Sequence, residues 1–371
     1  MKKLQLIYIV SHVQKSIAFE STALALKPYY NLTFLLLNPG TSDLQKFLTD
    51  HNIPVKQIRY RDKRDLVSAF FRVFIFLVTK RPQIVHTHLF DAQLVGLTAA
   101  WLARIRCRIY TRHTSNFHHV YQKSGVKYDK LSNALSTRII SISQATDVTL
   151  LELEKVAAHK VVKIPHGFEL KQFYNISQSR IDAVRKKWNI PNLQPVVGVV
   201  ARFIEWKGIQ FIIPAFKKFK KQHPTACLVL CNAQGPYAHT VLTMLEDIPE
   251  ANKIIIPFET DMAALYRVFD LYIHTPVTPL VEAFGQTYVE ALASGIPSVF
   301  TLSGIAKEFV EHKKHAWVAE FQNTDSIYTG MQTLWCDLSL RNELIENGKQ
   351  EVALRFELAD MISKLQTVYH E

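Results

Sequence analysis

Two short runs hold most of the chain's capacity for chemistry. The first is Pro279-Leu-Val-Glu282-Ala-Phe284-Gly285-Gln286-Thr287-Tyr-Val-Glu290-Ala-Leu-Ala-Ser-Gly295-Ile-Pro297, which reads as loop, helix, glycine stop and following strand. Its two glutamates are eight residues apart; at a rise of 1.5 Å per residue they stand about 12 Å apart, a span that suits the two ends of an extended nucleotide sugar. The amides of Phe284, Gly285, Gln286 and Thr287 fall at the helix N-terminus, where unpaired donors and the macrodipole attract phosphate. The plainer alternative is an amphipathic helix with two exposed glutamates.

The second run, Val196-Val-Gly198-Val-Val-Ala201-Arg202-Phe-Ile-Glu-Trp-Lys207-Gly208, reads as a buried strand leading through a loop into a helix. Arg202 and Lys207 flank that loop. Two fixed cations can hold a diphosphate and stabilise it as a leaving group, Arg as a planar fork and Lys as a point charge. Solvated surface charges are the alternative. No D-x-D occurs in the chain, so an acidic metal-diphosphate motif of that form is missing. A third group, His86, His88, His113, His118 and His119, is dense in histidine, yet no Cys, Asp or Glu stands at an obvious ligand spacing from it, and no metal site is expected. His86 and His88 share one face of a strand and read as packing or acceptor-side residues.

These residues need a scaffold that presents strand ends. Apolar strand-length runs at 4–10, 32–37, 84–88, 108–111, 139–142 and 161–164 alternate with helical spacing at 19–26, 44–50, 66–79 and 94–105. Strand alternating with helix implies a parallel sheet covered on both faces. The pattern pauses after Ile164 in PHGFELKQFYNISQSR, the expected domain junction, and restarts with strands at 196–200, 227–231, 253–256, 271–274 and 298–301 and a helix at 208–219. The expected fold is α/β, with two Rossmann-like doubly wound domains facing across a cleft. Neither G-x-G-x-x-G after the first strand nor a Walker A sequence is present, which weakens the dehydrogenase reading and removes the common nucleotide hydrolases.

The ordered set of runs resembles the retaining glycosyltransferases of family 4, which have the two-domain GT-B fold. It comprises Pro82-Gln-Ile-Val-His86-Thr-His88, Tyr110-Thr-Arg-His113-Thr, Ser141-Ile-Ser-Gln-Ala, Ile164-Pro-His-Gly167-Phe, the Arg202 to Gly208 loop, Leu265-Tyr-Arg-Val-Phe-Asp270 and the E-x7-E run, and so covers nearly the whole chain. The resemblance implies transfer of a sugar from a nucleotide-diphosphate sugar with retention at the anomeric carbon, without a metal or other cofactor. It assigns the diphosphate to Arg202 and Lys207. The donor sugar goes to Glu282 and the amides of Phe284, Gly285, Gln286 and Thr287, and the ribose to Glu290. His113 is placed against the sugar, which makes His113 and Glu282 the catalytic candidates. It divides the chain into an acceptor-binding domain over 1–172 and a donor-binding domain over 173–355, with a C-terminal helix at about 356–371 able to pack back on the first.

Two segments depart from the family pattern. Ser11 to Ser16 contains no glycine where a Gly-rich turn is usual, and Ser303-Gly304-Ile-Ala-Lys-Glu308 replaces a Gly-Gly pair with a Glu three residues on. The second change is expected to alter the surface near Glu308 without touching the donor residues. Two rival readings stay open: an epimerase or inverting transferase on a similar fold, with His113 as its base, and a catalytically silent nucleotide-sugar-binding subunit.

The bulk properties narrow the partners. With 371 residues, 48% hydrophobic and 20% charged, the chain is globular and too long for a single small module. Residues 1–200 hold 29 Lys and Arg against 12 Asp and Glu, and the remainder 15 against 20, so +17 faces −5. Such asymmetry points to an anionic partner for the first half. Nucleic acid is not expected, since no zinc finger, homeodomain or RNP signature is present. The expected partner is an anionic membrane surface, bound peripherally, with a glycan or lipid-linked acceptor there. Four dispersed cysteines suit a reducing compartment, and the opening MKKLQLIYIV reads as a strand. The expected location is the cytoplasm, on the inner face of the cytoplasmic membrane.

Overall fold

The computed structural model describes residues 3–192 and 195–371. It forms two compact units, one made of the chain through Glu169 together with Leu358–Glu371, the other of Leu170–Glu357. Each is an α/β unit built on one wholly parallel sheet.

In the first unit the strands are β1 (Gln5–Ser11), β2 (Asn31–Asn38), β3 (Val55–Arg59), β4 (Ile84–His88), β5 (Cys107–Arg112), β6 (Arg138–Ser141) and β7 (Val161–Lys163), in the order β3-β2-β1-β4-β5-β6-β7. The order reverses beside β1, where β4 pairs with its other side, Tyr8 opposite His86 and Val10 opposite His88. Such a switch point opens a crevice at the carboxyl ends of the strands. The two-residue period splits β1 between two cores. Leu6, Tyr8 and Val10 pack with Phe34, Leu36 and the C-terminal helix Leu358–His370, while Ile7 and Ile9 pack with Leu35, Leu37, Val73 and Val95 on the other face.

The second unit has β8 (Val196–Val200), β9 (Cys227–Cys231), β10 (Lys253–Ile256), β11 (Leu271–His274), β12 (Ser298–Phe300) and β13 (Trp317–Val318), in the order β10-β9-β8-β11-β12-β13. All five residues of β8 and of β9 are buried, the continuous burial expected of strands covered on both faces.

The apolar runs and the observed strands agree within a residue or two, but β3 and β13 have no counterpart among them. Both are edge strands, and Lys56, Gln57 and Arg59 in β3 remain solvated, so no apolar run marks it. The helix expected at 94–105 occupies Phe90–Leu102 instead. It begins in the turn where Ser11 Oγ accepts from the Ala92 amide, and Arg104, at a φ of 55°, turns the chain away after its last turn.

Candidate functional site

In the second unit the loops that follow β8 and β11 carry Arg202, Lys207 and Glu282. Arg202 leaves β8 exposed, and its guanidinium forms no ion pair with a described residue. The chain then makes a single 3-10 turn, Glu205–Lys207, that ends on Gly208 at a φ of 77°. A Cβ there would come within 1.9 Å of the Thr275 carbonyl oxygen, so only glycine lets this loop lie against the segment after β11. The Val277 amide donates to the Trp206 carbonyl at 3.0 Å and closes the contact.

That approach carries Lys207 to Glu282. Lys207 Nζ lies 2.5 Å from Glu282 Oε1 and 4.4 Å above the Trp206 ring. His274, the last residue of β11, places Nε2 3.2 Å from the same carboxylate oxygen, off line for a hydrogen bond. Burial alone would raise the Glu282 carboxyl, but the Lys207 charge and the His274 ring outweigh it and hold the group at about 2. Glu282 is therefore an ionised, buried acceptor. His274 Nδ1 and Thr275 Oγ1 are buried without a hydrogen-bond partner among the described residues, which leaves them available to a ligand.

Glu282 sits in the loop ahead of the helix Gln286–Ala293, whose N-cap is Gly285 at a φ of 85°. The amides of Gln286 and Thr287 open this helix and have no acceptor in a preceding turn. The Phe284 side chain is buried against Phe356, so the residue can offer a ligand only its backbone. On the same helix Glu290 is half-buried; burial raises its carboxyl, while the hydroxyl of Tyr266 donates to Oε2 at 2.9 Å. Neither glutamate is the freely exposed side chain of an ordinary amphipathic helix.

The segment with the altered glycine pair bears directly on this loop, which corrects the expectation that it leaves the donor residues untouched. Ser303 Oγ accepts from the Glu282 amide at 3.2 Å, Ile305 N donates to Phe284 O, and a Cβ on Gly304 would meet Glu282 Cβ at 2.9 Å. The first glycine of the pair has become a hydroxyl that fixes the Glu282 backbone, and the second is retained where nothing larger fits.

In the first unit, His113 follows β5 and is partly buried. Its Nε2 lies 3.2 Å from His88 Nδ1, and its ring stacks on His166 with centroids 5.4 Å apart at 15°. Burial and the neighbouring rings hold His88 and His113 well below the usual histidine range. His86 is fully buried and engaged at both nitrogens, Nδ1 with the Tyr369 hydroxyl at 2.7 Å and Nε2 with Thr111 Oγ1 at 2.8 Å. His118 and His119 stand apart from that column. His118 Nδ1 lies 2.5 Å from Asp129 and His119 Nε2 3.3 Å from Glu154, so acidic neighbours that no spacing announced are brought in by folding.

Between those two carboxylates lies Arg112, 1% exposed, with Nη1 2.8 Å from Asp129 and Nη2 2.7 Å from Glu154. Its Nε donates to the Thr114 carbonyl at 2.9 Å and so ties down the turn that carries His113. Among the described residues no group of three or more His, Cys, Asp or Glu is arranged to hold a metal ion.

Two family models match successive stretches of the chain, "Glycosyltransferase Family 4" over residues 30–172 and "Glycosyl transferases group 1" over 180–351. The chain belongs to the family 4 glycosyltransferases. Capsular polysaccharide biosynthesis glycosyltransferase CapM of Staphylococcus aureus is 22% identical, with 100% of this chain and 98% of that protein covered. Alpha-monoglucosyldiacylglycerol synthase of Acholeplasma laidlawii is 28% identical over 62% of each chain, so the match spans less than two thirds of that relative. Among solved structures, Anabaena HepE in complex with UDP and glucose superimposes with a TM-score of 0.86 at 20% identity, covering 99% of this chain and all of the other. That likeness gives the glycosyltransferase its GT-B fold.

Sequence reasoning missed His274, Tyr266 and Ser303 in this glycosyltransferase. His274 carried a usable signal, a polar residue at the carboxyl end of a buried strand, where ligands bind in such sheets. Tyr266 and Ser303 stand in runs quoted above, but nothing in those runs ties either to a glutamate more than 20 residues away in sequence.

Proposed function

We propose that this glycosyltransferase moves a sugar from a nucleotide-diphosphate sugar to a glycan or lipid-linked acceptor, with retention at the anomeric carbon and without a metal. The observation that carries the reading is the contact of Lys207 with an ionised, buried Glu282 in the loop just ahead of an open helix N-terminus. Arg202 and Lys207 receive the diphosphate; Lys207 has three donor protons, so its pairing with Glu282 leaves others for phosphate. Glu282 accepts from hydroxyls of the donor sugar, beside the amides of Phe284, Gly285, Gln286 and Thr287. Glu290, oriented by Tyr266, accepts from the ribose.

During transfer the bond from the anomeric carbon to the diphosphate oxygen breaks as the acceptor oxygen bonds to the same carbon on the same face. The acceptor proton passes to the departing phosphate. No protein nucleophile is needed, so the protein's contribution is orientation and stabilisation of the charge developing on the leaving group. His113 is assigned to the sugar as the resemblance implies, the first unit to the acceptor and the second to the donor; the expected division at residue 172 is kept as part of this reading. Names of relatives support the substrate classes: CapM for polysaccharide, the Acholeplasma synthase for lipid, HepE for a UDP-linked sugar.

Peripheral attachment to an anionic membrane, on the inner face of the cytoplasmic membrane, completes the proposal. Among the described residues no helix is long and apolar enough to span a bilayer. The helix Leu66–Lys80 nevertheless leaves Val67, Phe71 and Ile75 each more than half exposed, with Arg72 beside them. The first test is the product of UDP-glucose and a panel of other donors, read by NMR. An α-linked product from an α-linked donor, formed at full rate in EDTA, supports the reading, and an inverted product or a requirement for divalent metal overturns it.

A further inference from the structure

Reading His113 as a sugar contact leaves open which of its nitrogens faces the ligand and whether that nitrogen donates or accepts. The structure restricts both. His113 Nε2 is engaged by His88 Nδ1 at 3.2 Å, so Nδ1 is the nitrogen His113 can present. One of the two facing nitrogens must carry a proton and the other a lone pair.

The far side of His88 decides between them. The ring is 6% exposed, stacked on Tyr8 at 4.7 Å and met edge-on by Phe19 at 5.1 Å, and Nε2 has no hydrogen-bond partner among the described residues. If His113 donated to His88, the His88 proton would have to sit on Nε2, an orphaned N–H inside an aromatic cage. Buried N–H groups without an acceptor are the rarest of unpaired groups. If His88 donates instead, Nε2 is a bare lone pair, Nδ1–H is satisfied by His113, and the His113 proton lies on Nδ1, where the partly exposed ring edge can be solvated.

We infer that His88 is a positioning residue that fixes the tautomer of His113, so that His113 meets its ligand as a neutral Nδ1–H donor and not as a base. The register of the sheet builds the pair, since His88 ends β4 and lies opposite Thr111 of β5, two residues before His113. The His166 ring stacked on His113 holds the imidazole plane from its other neighbour. Burial keeps His86, His88, His113 and His166 uncharged, in keeping with a chain of neutral rings. A donor at this position hydrogen-bonds a hydroxyl or ring oxygen of the sugar; a base would be required only for a mechanism that inverts. The kinetic consequences rest on the proposed transfer reaction, whereas the tautomer itself does not.

The test therefore has two arms. In protein labelled with 15N-histidine, long-range proton–nitrogen correlations report which nitrogen of each ring is protonated, with His88 and His113 assigned by loss of their signals in His88→Asn and His113→Ala. The expected result is His113 protonated on Nδ1 alone. A proton on Nε2, or two averaging tautomers, overturns the inference even if transfer activity is normal. In the kinetic arm, His88→Leu should slow transfer about ten-fold, the scale of one hydrogen bond, at unchanged nucleoside diphosphate affinity. His88→Asn, whose amide can stand in for Nδ1–H, should recover most of the rate. In a His113→Ala background His88→Leu should cost nothing further, and additive losses there would show that His88 acts independently. Should His88→Leu fail to fold, the Asn variant and the correlations still decide. An inert His113→Ala variant with the expected tautomer removes the sugar contact from the proposed function and leaves the assignment of the proton standing.

Discussion

Lys207 and Glu282 form a buried ion pair across 75 residues of chain, Nζ to Oε1 at 2.5 Å, and the pair exists because Gly208 lets one loop lie on the other. A buried pair of this kind is costly to assemble and more costly to halve. It positions a cation for phosphate and a carboxylate for sugar in a single contact, so its two halves should fail differently.

Lys207→Ala leaves the Glu282 carboxylate buried without its main partner, and the protein should lose about 3–5 kcal/mol of stability. Glu282→Gln keeps the shape of the site and removes only the charge. It leaves the Lys207 ammonium, only 15% exposed, without its carboxylate, so it should also lose stability, though less than Lys207→Ala, and should transfer sugar about ten- to a hundred-fold more slowly. Chemical denaturation of both variants and of the double variant checks this. If the two stability losses simply add, the pair is not coupled.

Acid should destabilise the protein in two stages, both of one sign. Glu282 is held at about 2, below its ordinary value of 4.5, so its contribution is full above pH 4.5 and is lost as pH falls toward 2. His86, at about 3, and His166, at about 4, are also depressed, from 6.5. Their unfolded forms bind protons first, so stability begins to fall already below pH 6.5. Melting temperature should therefore decline steadily from pH 7 to pH 4, and His86→Gln should flatten the upper part of that slope. A melting temperature that is level over this range would contradict the buried neutral histidines.

Much of this was written in local sequence, and what was missing is missing for a reason. Runs such as Val196–Val200 announce buried strands because every side chain is apolar, while β3 at the sheet edge keeps Lys56 and Arg59 in water and announces nothing. Glu282, Glu290, Arg202 and Lys207 were visible as residue types at suggestive spacing. Their partners were not: Ser303 reaches Glu282 and Tyr266 reaches Glu290 only once the strands between them are stacked. The Arg112 network is the extreme case, since Asp129 and Glu154 lie 17 and 42 residues away and no periodicity links them.

That network predicts a separation of effects. Arg112→Met removes a guanidinium that satisfies two buried carboxylates and should destabilise the first unit by about 3–5 kcal/mol. The Thr114 carbonyl loses its donor as well, so the turn bearing His113 loosens and transfer should slow. Nucleoside diphosphate binding, assigned to the other unit, should stay at wild-type affinity by calorimetry at low temperature. Weakened nucleotide affinity in the folded variant would contradict the assignment of nucleotide binding to the second unit alone.

Arg202, by contrast, is exposed and forms no ion pair with a described residue, so Arg202→Ala should leave stability within about 0.5 kcal/mol of wild type. Its loss should fall on the diphosphate, with nucleoside diphosphate affinity reduced about ten-fold, as for one charge-assisted hydrogen bond. Wild-type activity should be unchanged by chelators, because cations of the chain neutralise the leaving group. Activity abolished by EDTA and restored by a divalent ion would remove Arg202 and Lys207 from that role.

The exposed face of Leu66–Lys80 allows the membrane reading to be tested without touching the site. Val67, Phe71, Ile75 and Val78 recur at intervals of four, four and three and therefore lie along one side of the helix. Asp62 and Asp65, the acids at its start, are already paired with Arg64 and Arg61, which leaves Lys63, Arg72, Lys80 and Arg81 to face anionic headgroups. Apolar insertion and charge should then share the binding. Flotation with vesicles containing anionic lipid should fall in 0.5 M salt, since surface charges are screened there. A residual fraction should persist through the apolar side chains and vanish in Phe71→Ser/Ile75→Ser. That variant replaces exposed groups only, so it should fold and turn over a soluble acceptor normally. Equal recovery of the wild type on neutral and anionic vesicles would eliminate the charge component, and equal recovery of the double variant would show that this helix is not the surface that touches lipid.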